Sequence, residues 1–417
     1  MSEAFLWKLG QKPPPIAPHS DRKLQVIERY LEEYFETVAK NPRQDALNIT
    51  IVDGFCGGGL YRGKDGPRLG SPLVLLGAVD DAVQKLNRDR RKPLSIDAHF
   101  VFVDENKDHI EHLRQVLSDF GHGSDIGRRI QIINGTFAAT LPALISQIRL
   151  RQKRGRSIFI LDQFGYKDVP MAAVRMIFDQ LARAEVLLTF SIDALLNYLE
   201  TEGEPSTVVR QFGVDERFLR MWADWKSDDA QGRALAQRTL MSHIHRHGGA
   251  TFFTPFMLFS SHDNRRMMIA HMAHSQAARD KMLGVHWALQ NQFRHIGRGS
   301  LFELGYDARL DPQPALFQFA EEDRAQLLLE LENELPSHIA TNLGHGPLEV
   351  ADLLFDVGNR TAAMNSDLFQ VLTLMSAEKE VEVRKADGGL KRPGTKVEIS
   401  DRLHLPGQRT LFAKYIK

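Results

Sequence analysis

The chain has 417 residues, of which 43% are hydrophobic and 25% charged, a composition that supports a well-filled core and argues against disorder. It contains 53 Lys plus Arg and 53 Asp plus Glu, so only a local patch could attract a polyanionic partner. Cys56 is the only cysteine, which excludes a disulfide within the chain and any cysteine-based zinc or iron–sulfur site.

The length allows about two or three domains. No apolar run reaches the roughly 18 residues that a transmembrane helix needs, and the N-terminal sequence lacks the apolar region of a signal peptide. We therefore expect a cytoplasmic protein that has no membrane partner.

The first half of the chain alternates strand and helix patterns. After an N-terminal arm, residues 1–18, apolar residues at helical spacing predict a helix from Lys23 to Val38. Five apolar runs, each followed by a helical pattern or a turn, then predict strands at 49–53, 98–104, 129–133, 157–162 and 186–190. This alternation predicts a parallel, doubly wound α/β sheet.

Two further strand patterns, 252–259 and 266–272, flank a polar turn and predict a hairpin. The expected fold is therefore a seven-stranded Rossmann-like sheet, with a helical insertion at about 193–248. We assign residues 1–300 to this domain.

The C-terminal part has a different pattern. We interpret the acidic stretch 301–335 as a connector, and short helical patterns follow Pro336. Strand patterns at 381–384 and 396–399 flank Gly388-Gly389, so residues 336–417 predict a winged helix-turn-helix domain. Its hairpin carries the basic residues Arg384, Lys385, Lys391, Arg392 and Lys396. A basic hairpin can lie on phosphates, so we expect a DNA or RNA partner; winged helices also contact proteins, which leaves a protein partner open.

The first strand runs directly into a glycine-rich turn, residues 53–59 (D-G-F-C-G-G-G). A strand, such a turn and then a helix is how α/β folds bind nucleotide-type ligands, although an ordinary connecting turn has the same composition. We expect the backbone of Phe55, Gly57 and Gly59 to face a cofactor, where a Cβ atom would collide.

Acidic residues end three of the predicted strands, at the edge of the sheet where open α/β folds bind ligands. Asp53 would bond a ligand ammonium, or else tie down the turn. Asp104 would accept both ribose hydroxyls, or else cap the following helix. After the third strand, Gly135 and Thr136 would line an adenine ring.

Asp162, Phe164 and Tyr166 follow the fourth strand and are the catalytic candidates. Asp162 could accept a hydrogen bond from an amine nucleophile, and either aromatic ring could stack on a planar substrate. The alternative is a capped strand end with a buried aromatic. The alternating histidines at 243, 245 and 247 read as a polar segment, so we predict no metal site.

The glycine spacing is not G-x-G-x-x-G, and Asp104 lies farther along than the acid of nicotinamide-binding folds, which disfavours a nicotinamide cofactor. A P-loop sequence is absent as well. The closing hairpin favours the class I methyltransferase fold, with S-adenosylmethionine as the cofactor.

Four motifs together resemble the three-Cys-motif partner protein (TcmP) family. Residues 52–61 (V-D-G-F-C-G-G-G-L-Y) are similar to V-D-x-F-A-G-x-G-x-Y, and Pro18-His19-Ser20 with Lys23 is similar to P-H-[ST]-x-x-K. Residues 70–73 (G-S-P-L) and 161–165 (L-D-Q-F-G) are similar to G-S-P-L and L-D-P-F-G. The resemblance spans nearly the whole chain and is weakest from about 200 to 250.

The resemblance implies a methyltransferase-like Rossmann domain followed by a winged helix, with His19 and Lys23 closing over the cofactor. Two residues depart from the family pattern. Cys56 replaces a usual alanine and should still admit the cofactor. Gln163 replaces proline after Asp162, which weakens any analogy with the D-P-P-Y motif of amino-methyltransferases.

The leading hypothesis is a methyltransferase dependent on S-adenosylmethionine that acts on nucleic acid. The alternative is a non-catalytic scaffold or adaptor that binds a partner protein, motivated by Gln163 and by Asn134, which stands where an acid is usual. Nicotinamide-dependent reduction is the third hypothesis.

Overall fold

The computed structural model describes residues 6–152, 155–163, 168–190, 241–259, 266–289, 293–296, 316–317, 319–344 and 346–406. The chain divides into two compact units, Met1–Val285 and His286–Lys417. Phe164, Tyr166 and residues 191–240 of the expected helical insertion lie outside the described residues, whereas residues 241–248 are helical.

The first unit is built on one mostly parallel sheet. Its described strands are β1 (Ala46–Asp53), β2 (Leu60–Arg62), β3 (Pro67–Leu69), β4 (Ser95–Asp104), β5 (Ile130–Asn134), β6 (Ser157–Asp162), β7 (Ala184–Phe190), β8 (Phe252–Phe259) and β9 (Arg266–Ala273). Within this unit seven strands form the sheet, in the order β5-β4-β1-β6-β7-β9-β8, and only β9 runs antiparallel. The predicted mixed α/β fold with a seven-stranded sheet is confirmed.

Helices connect the strands and cover the sheet. They are α1 (Pro18–Val38), α2 (Ser71–Asn87), α3 (Lys107–Asp119), α4 (Phe137–Arg151), α5 (Met171–Gln180) and α6 (Gln276–Ala288). In α1 the predicted apolar residues Leu24, Ile27, Leu31 and Phe35 are buried, so hydrophobic burial explains why this segment is a helix. None of the described helices is long and apolar enough to cross a membrane.

The sheet brings the carboxyl ends of several strands to one edge. β1 is central and pairs in parallel with β4 on one side and with β6 on the other. Asp104, at the end of β4, lies opposite Asn134 at the end of β5. Because parallel strands end on the same side, Asp53, Asp104 and Asp162 share this edge, as predicted.

A hairpin that the sequence did not predict follows the glycine turn. β2 and β3 pair with each other, and the Gly63 N–H donates to the Gly66 carbonyl across the tip (2.8 Å). The N-terminal arm lies beside β2, since the Ile16 N–H donates to the Arg62 carbonyl (3.0 Å) and the Arg62 N–H to the Pro14 carbonyl (2.9 Å). These three-residue strands contain no apolar run that could have indicated them.

The second unit contains short strands and helices. Its described elements are β10 (Phe293–Ile296), β11 (Leu316–Phe317), α7 (Glu321–Leu343), β12 (Leu348–Glu349), α8 (Val350–Val357), α9 (Asn365–Ala377), β13 (Glu382–Arg384) and β14 (Arg402–His404). β10 pairs with β11, and β14 pairs antiparallel with both β12 and β13.

Two details of this unit differ from the pattern that the sequence indicated. The acidic stretch is helical from Glu321 onwards, because Leu327, Leu331 and Leu335 recur every four residues and bury one face of α7. The partner of β13 is Arg402–His404 and not residues 396–399. The latter region turns, because the Asp401 carboxylate accepts the Glu398 N–H (2.7 Å).

Candidate cofactor and active site

The glycine turn after β1 adopts backbone conformations that favour glycine. Gly57 has φ +57° and Gly59 has φ +81°, both in the left-handed region. A Cβ atom on Gly59 would lie 2.7 Å from Leu113 Cδ1, and one on Gly54 would lie 2.8 Å from Leu161 Cδ2. At Gly59, where a collision with a cofactor was expected, the Cβ atom would thus collide with a side chain of the protein itself. At Gly57 the nearest atom to a Cβ would be Trp7 Cη2, at 3.0 Å.

Trp7 covers part of the glycine turn. A Cβ atom on Gly58 would lie 2.2 Å from Trp7 Cγ, so the indole rests directly on this backbone. The Trp7 Nε1–H donates to the Leu60 carbonyl (2.5 Å), and the ring packs edge-on against His109 (4.9 Å between centroids). The side chain is 5% exposed. Trp7 lies in the predicted N-terminal arm, and the sequence did not indicate this contact because a lone aromatic residue does not identify the surface on which it packs.

Asp104 links the end of β4 to the glycine turn. Its Oδ2 accepts the Gly57 N–H (3.0 Å), and its Oδ1 accepts the Asn106 N–H (2.8 Å) and contacts His109 Nδ1 (3.1 Å). A carboxylate offers about four acceptor positions, so these three contacts leave capacity for one ligand hydroxyl. The helix-cap alternative is wrong, because Asn106 caps α3 by accepting the Asp108 N–H. Sequence reasoning missed His109.

Asp53 is fully buried at the end of β1. Its Oδ1 accepts the Phe55 N–H (3.1 Å), whereas Oδ2 has no partner at hydrogen-bond geometry among the described residues. Burial raises the pKa of this carboxyl to about 7; nearby carboxylates add to the effect, and the Ser71 hydroxyl and the Phe55 N–H oppose it. A buried acceptor of this kind is suited to a cationic or N–H donor on a ligand.

Asp162, at the end of β6, is paired with Lys23. The Lys23 Nζ lies 2.5 Å from Oδ1 and 2.6 Å from Oδ2, so one ammonium contacts both carboxylate oxygens. The Lys23 side chain is 7% exposed and that of Asp162 is 31% exposed. Asp162 is therefore not a free carboxylate in this arrangement, although part of it remains exposed. His19 lies one turn before Lys23 in α1 and is half-buried.

The end of β5 lies beside Asp104, as expected for a wall of an adenine site. The Gly135 N–H donates to the Asp104 carbonyl (3.0 Å), and the Asn134 side-chain amide donates to the Asp104 and Glu105 carbonyls. Thr136 caps α4, because its hydroxyl accepts the Ala139 N–H (3.4 Å). Across the turn, the ring of Phe55 packs against that of Phe137 (6.3 Å).

Hydrogen bonds of the Gln163 side chain explain why a glutamine, and not the proline of the similar motif, follows Asp162. Its Oε1 accepts the Asp168 N–H (2.9 Å) and the Val169 N–H (3.1 Å), and the residue is 1% exposed. The side chain therefore ties residues 168 and 169 to the end of β6. A proline could not make these contacts.

The basic residues of the second unit differ in accessibility. Lys385, Arg392 and Lys396 are exposed, and Arg384 is half-buried beside Glu382 (3.5 Å). The Lys391 side chain is only 7% exposed, because its Nζ lies 2.6 Å from the buried Asp401 carboxylate. Lys391 is thus a structural residue and not an exposed member of the cluster.

The imidazole rings of the histidines near residue 245 pack against other rings. His243 and His247 lie 4.1 Å apart between centroids, and His245 stacks on Phe253. Across the part of the chain that the structure describes, no group of three or more His, Cys, Asp or Glu residues could hold a metal ion.

No protein-family profile matches the sequence, and no curated protein matches it. Several solved structures show a distant likeness. Protein LPL1258 from Legionella pneumophila is 8% identical, with a TM-score of 0.35 over 60% of this chain and 85% of that chain. The bifunctional kinase-methyltransferase WbdD is 12% identical, with a TM-score of 0.32 over 66% and 44%. The O-methyltransferase TomG from Streptomyces achromogenes, solved with S-adenosylmethionine, is 11% identical, with a TM-score of 0.30 over 63% and 83%. Likenesses at this level carry no argument about function, which must come from the chain's own geometry.

Proposed function

We propose that the chain is a methyltransferase dependent on S-adenosylmethionine that acts on nucleic acid, and that it belongs to the TcmP family that it resembles. The contact of Asp104 with the Gly57 N–H carries the proposal, because it joins a candidate ribose acceptor to the glycine turn at the end of the central strand. The strand order supports the proposal. The antiparallel strand β9 lies between β7 and β8, which is the arrangement of class I methyltransferases.

The residues at the sheet edge have complementary roles in this proposal. The free acceptor capacity of Asp104 takes a ribose hydroxyl, and Asp53 takes the ammonium of the methionine portion through Oδ2. Phe55 and the backbone at 135–136 line the adenine. S-adenosylmethionine, when bound, supplies an activated methyl group.

The substrate side of the site lies at the end of β6. Because the sulfonium is an excellent leaving group, the chain has mainly to hold the nucleophile in line with the methyl group. Asp162 with Lys23 would orient the nucleophile, and Phe164 or Tyr166 would stack on a planar base. His19 begins the helix that delivers Lys23.

The second unit is the proposed docking module. Its element order, α7-β12-α8-α9-β13-β14, with β14 between β12 and β13, is that expected of a winged helix. The exposed residues Lys385, Arg392 and Lys396 would contact phosphates. Neutralising them together should weaken nucleic-acid binding and reduce its salt dependence. Neutralising the exposed lysines 12, 40 and 64 of the first unit is the matched control.

The direct test is transfer of a labelled methyl group from S-adenosylmethionine to cellular RNA, DNA and protein fractions. We expect label in a nucleic-acid fraction, and a matching modified nucleoside that is lost from cells without the gene. Label in the protein fraction alone would overturn the nucleic-acid assignment. Cofactor binding without transfer to any fraction would favour the scaffold alternative.

A further inference from the structure

The ion pair between Lys23 and Asp162 determines the charge at the proposed substrate side of the site. Both carboxylate oxygens contact the same ammonium, at 2.5 and 2.6 Å. The two charges cancel locally, and Lys23 is shielded from water (7% exposed) while Asp162 is partly open (31%). A group approaching Asp162 therefore meets a neutral pair and not a free carboxylate.

This arrangement differs from a site built for an alkyl amine that binds in its protonated form and loses a proton before methyl transfer. A protonated amine would need a carboxylate that is not already paired. To bind Asp162 it would have to displace Lys23, and the Lys23 charge would then be left uncompensated. Here the chain's own ammonium already contacts both oxygens of the Asp162 carboxylate. A neutral N–H group requires only a weaker hydrogen bond from the side of the carboxylate that faces solvent.

We infer that Lys23 is a specificity-determining residue: by neutralising Asp162 it restricts the site to uncharged nucleophiles, such as the amino or ring nitrogen of a nucleobase, and disfavours protonated alkyl amines. The inference rests on the proposed function and narrows its substrate class. A neutral N–H nucleophile forms its bond to the methyl carbon, the carbon–sulfur electron pair stays on sulfur, and the proton of the nucleophile leaves to water.

The inference can be tested by binding alone, with two cofactor analogues measured by calorimetry. S-adenosylhomocysteine is neutral at the reacting position, whereas sinefungin carries a protonated amine there. The wild type should bind the two with affinities within about threefold of each other. Lys23→Met frees the Asp162 carboxylate for that amine and should raise the preference for sinefungin about tenfold or more, as expected of a charge-assisted hydrogen bond.

Further variants separate charge from structure. Lys23→Arg keeps the cation and should retain the wild-type ratio, and K23M/D162N removes both charges and should restore it. Asp162→Asn leaves Lys23 unpaired and should lower the preference for sinefungin, which provides a second test if Lys23→Met does not fold. Arg29→Met, on the same helix and partly exposed, is the matched control.

The outcomes separate the two proposals. If both analogues bind and their ratio is the same in the wild type, Lys23→Met and Asp162→Asn, the inference about Lys23 is overturned while the cofactor assignment stands. If neither analogue binds the folded wild type, the proposed function fails, and the inference fails with it.

Discussion

Replacing Asp53 by asparagine should remove a pH-dependent loss of stability. Burial raises the pKa of this carboxyl from 3.8 to about 7, so the folded chain binds a proton that the unfolded chain releases between these values. Stability therefore falls as the pH rises from about 4 towards 7 and levels off above that. An asparagine side chain cannot ionise, so the variant lacks this contribution.

The expected size follows from the shift. A difference of about three pKa units corresponds to about 4 kcal/mol, of which about 2–3 kcal/mol falls between pH 5 and pH 8. The wild type should lose that much more stability than Asp53→Asn over this range. The Phe55 N–H can still donate to the asparagine Oδ1, so the turn should keep its geometry.

Hydrogen exchange of the β1 amides, corrected for the intrinsic rate at each pH, suits this measurement because it reports on the first unit alone. Asp89→Asn changes an exposed carboxylate of the same unit and should follow the wild-type curve. Parallel curves for the wild type and Asp53→Asn would refute the reasoning, since they would show that Asp53 has the same pKa in the folded and unfolded chain.

Three further predictions concern packing and reactivity. Gly58→Ala should cost about 1–3 kcal/mol, because the new methyl group would overlap the Trp7 side chain from its Cβ atom onwards. In a Trp7→Gly background that cost should largely disappear, and equal costs in both backgrounds would contradict the contact. Lys391→Met should lower the free energy of unfolding of the second unit by about 3 kcal/mol in urea, because it leaves the buried Asp401 carboxylate unpaired. The exposed Arg392→Met should change that free energy by less than about 0.5 kcal/mol, and similar losses for the two variants would show that Lys391 is not buried. Burial raises the pKa of the Cys56 thiol, so the native chain should react with a thiol reagent far more slowly than the unfolded chain, and equal rates would contradict this burial.

Continuous apolar runs were sufficient to predict the main strands of the sheet. The strands β1, β4, β6 and β7 coincide with apolar runs, because burial on both faces of a sheet requires one. The shared edge of Asp53, Asp104 and Asp162 followed from parallel pairing alone.

Contacts between residues distant in sequence could not be predicted. Trp7 meets the glycine turn and Lys23 meets Asp162 only because the chain folds back, and no local pattern encodes either contact. The burial of Lys391 depends in the same way on Asp401, and its position in a run of basic residues does not indicate that burial. The start of α7 differs for another reason. The acidic residues of this stretch are typical of an exposed connector, whereas the leucines at four-residue spacing indicate a helix with one buried face.

Calorimetric titration with S-adenosylmethionine tests the central claim most directly. The wild type should bind one molecule per chain, and Asp104→Ala, which removes the proposed ribose acceptor and the contact to the Gly57 N–H, should weaken binding by at least about tenfold. Asp108→Ala, in the first turn of the adjacent helix and more exposed, should bind like the wild type. No binding by the folded wild type, or equal binding by Asp104→Ala, would contradict the account.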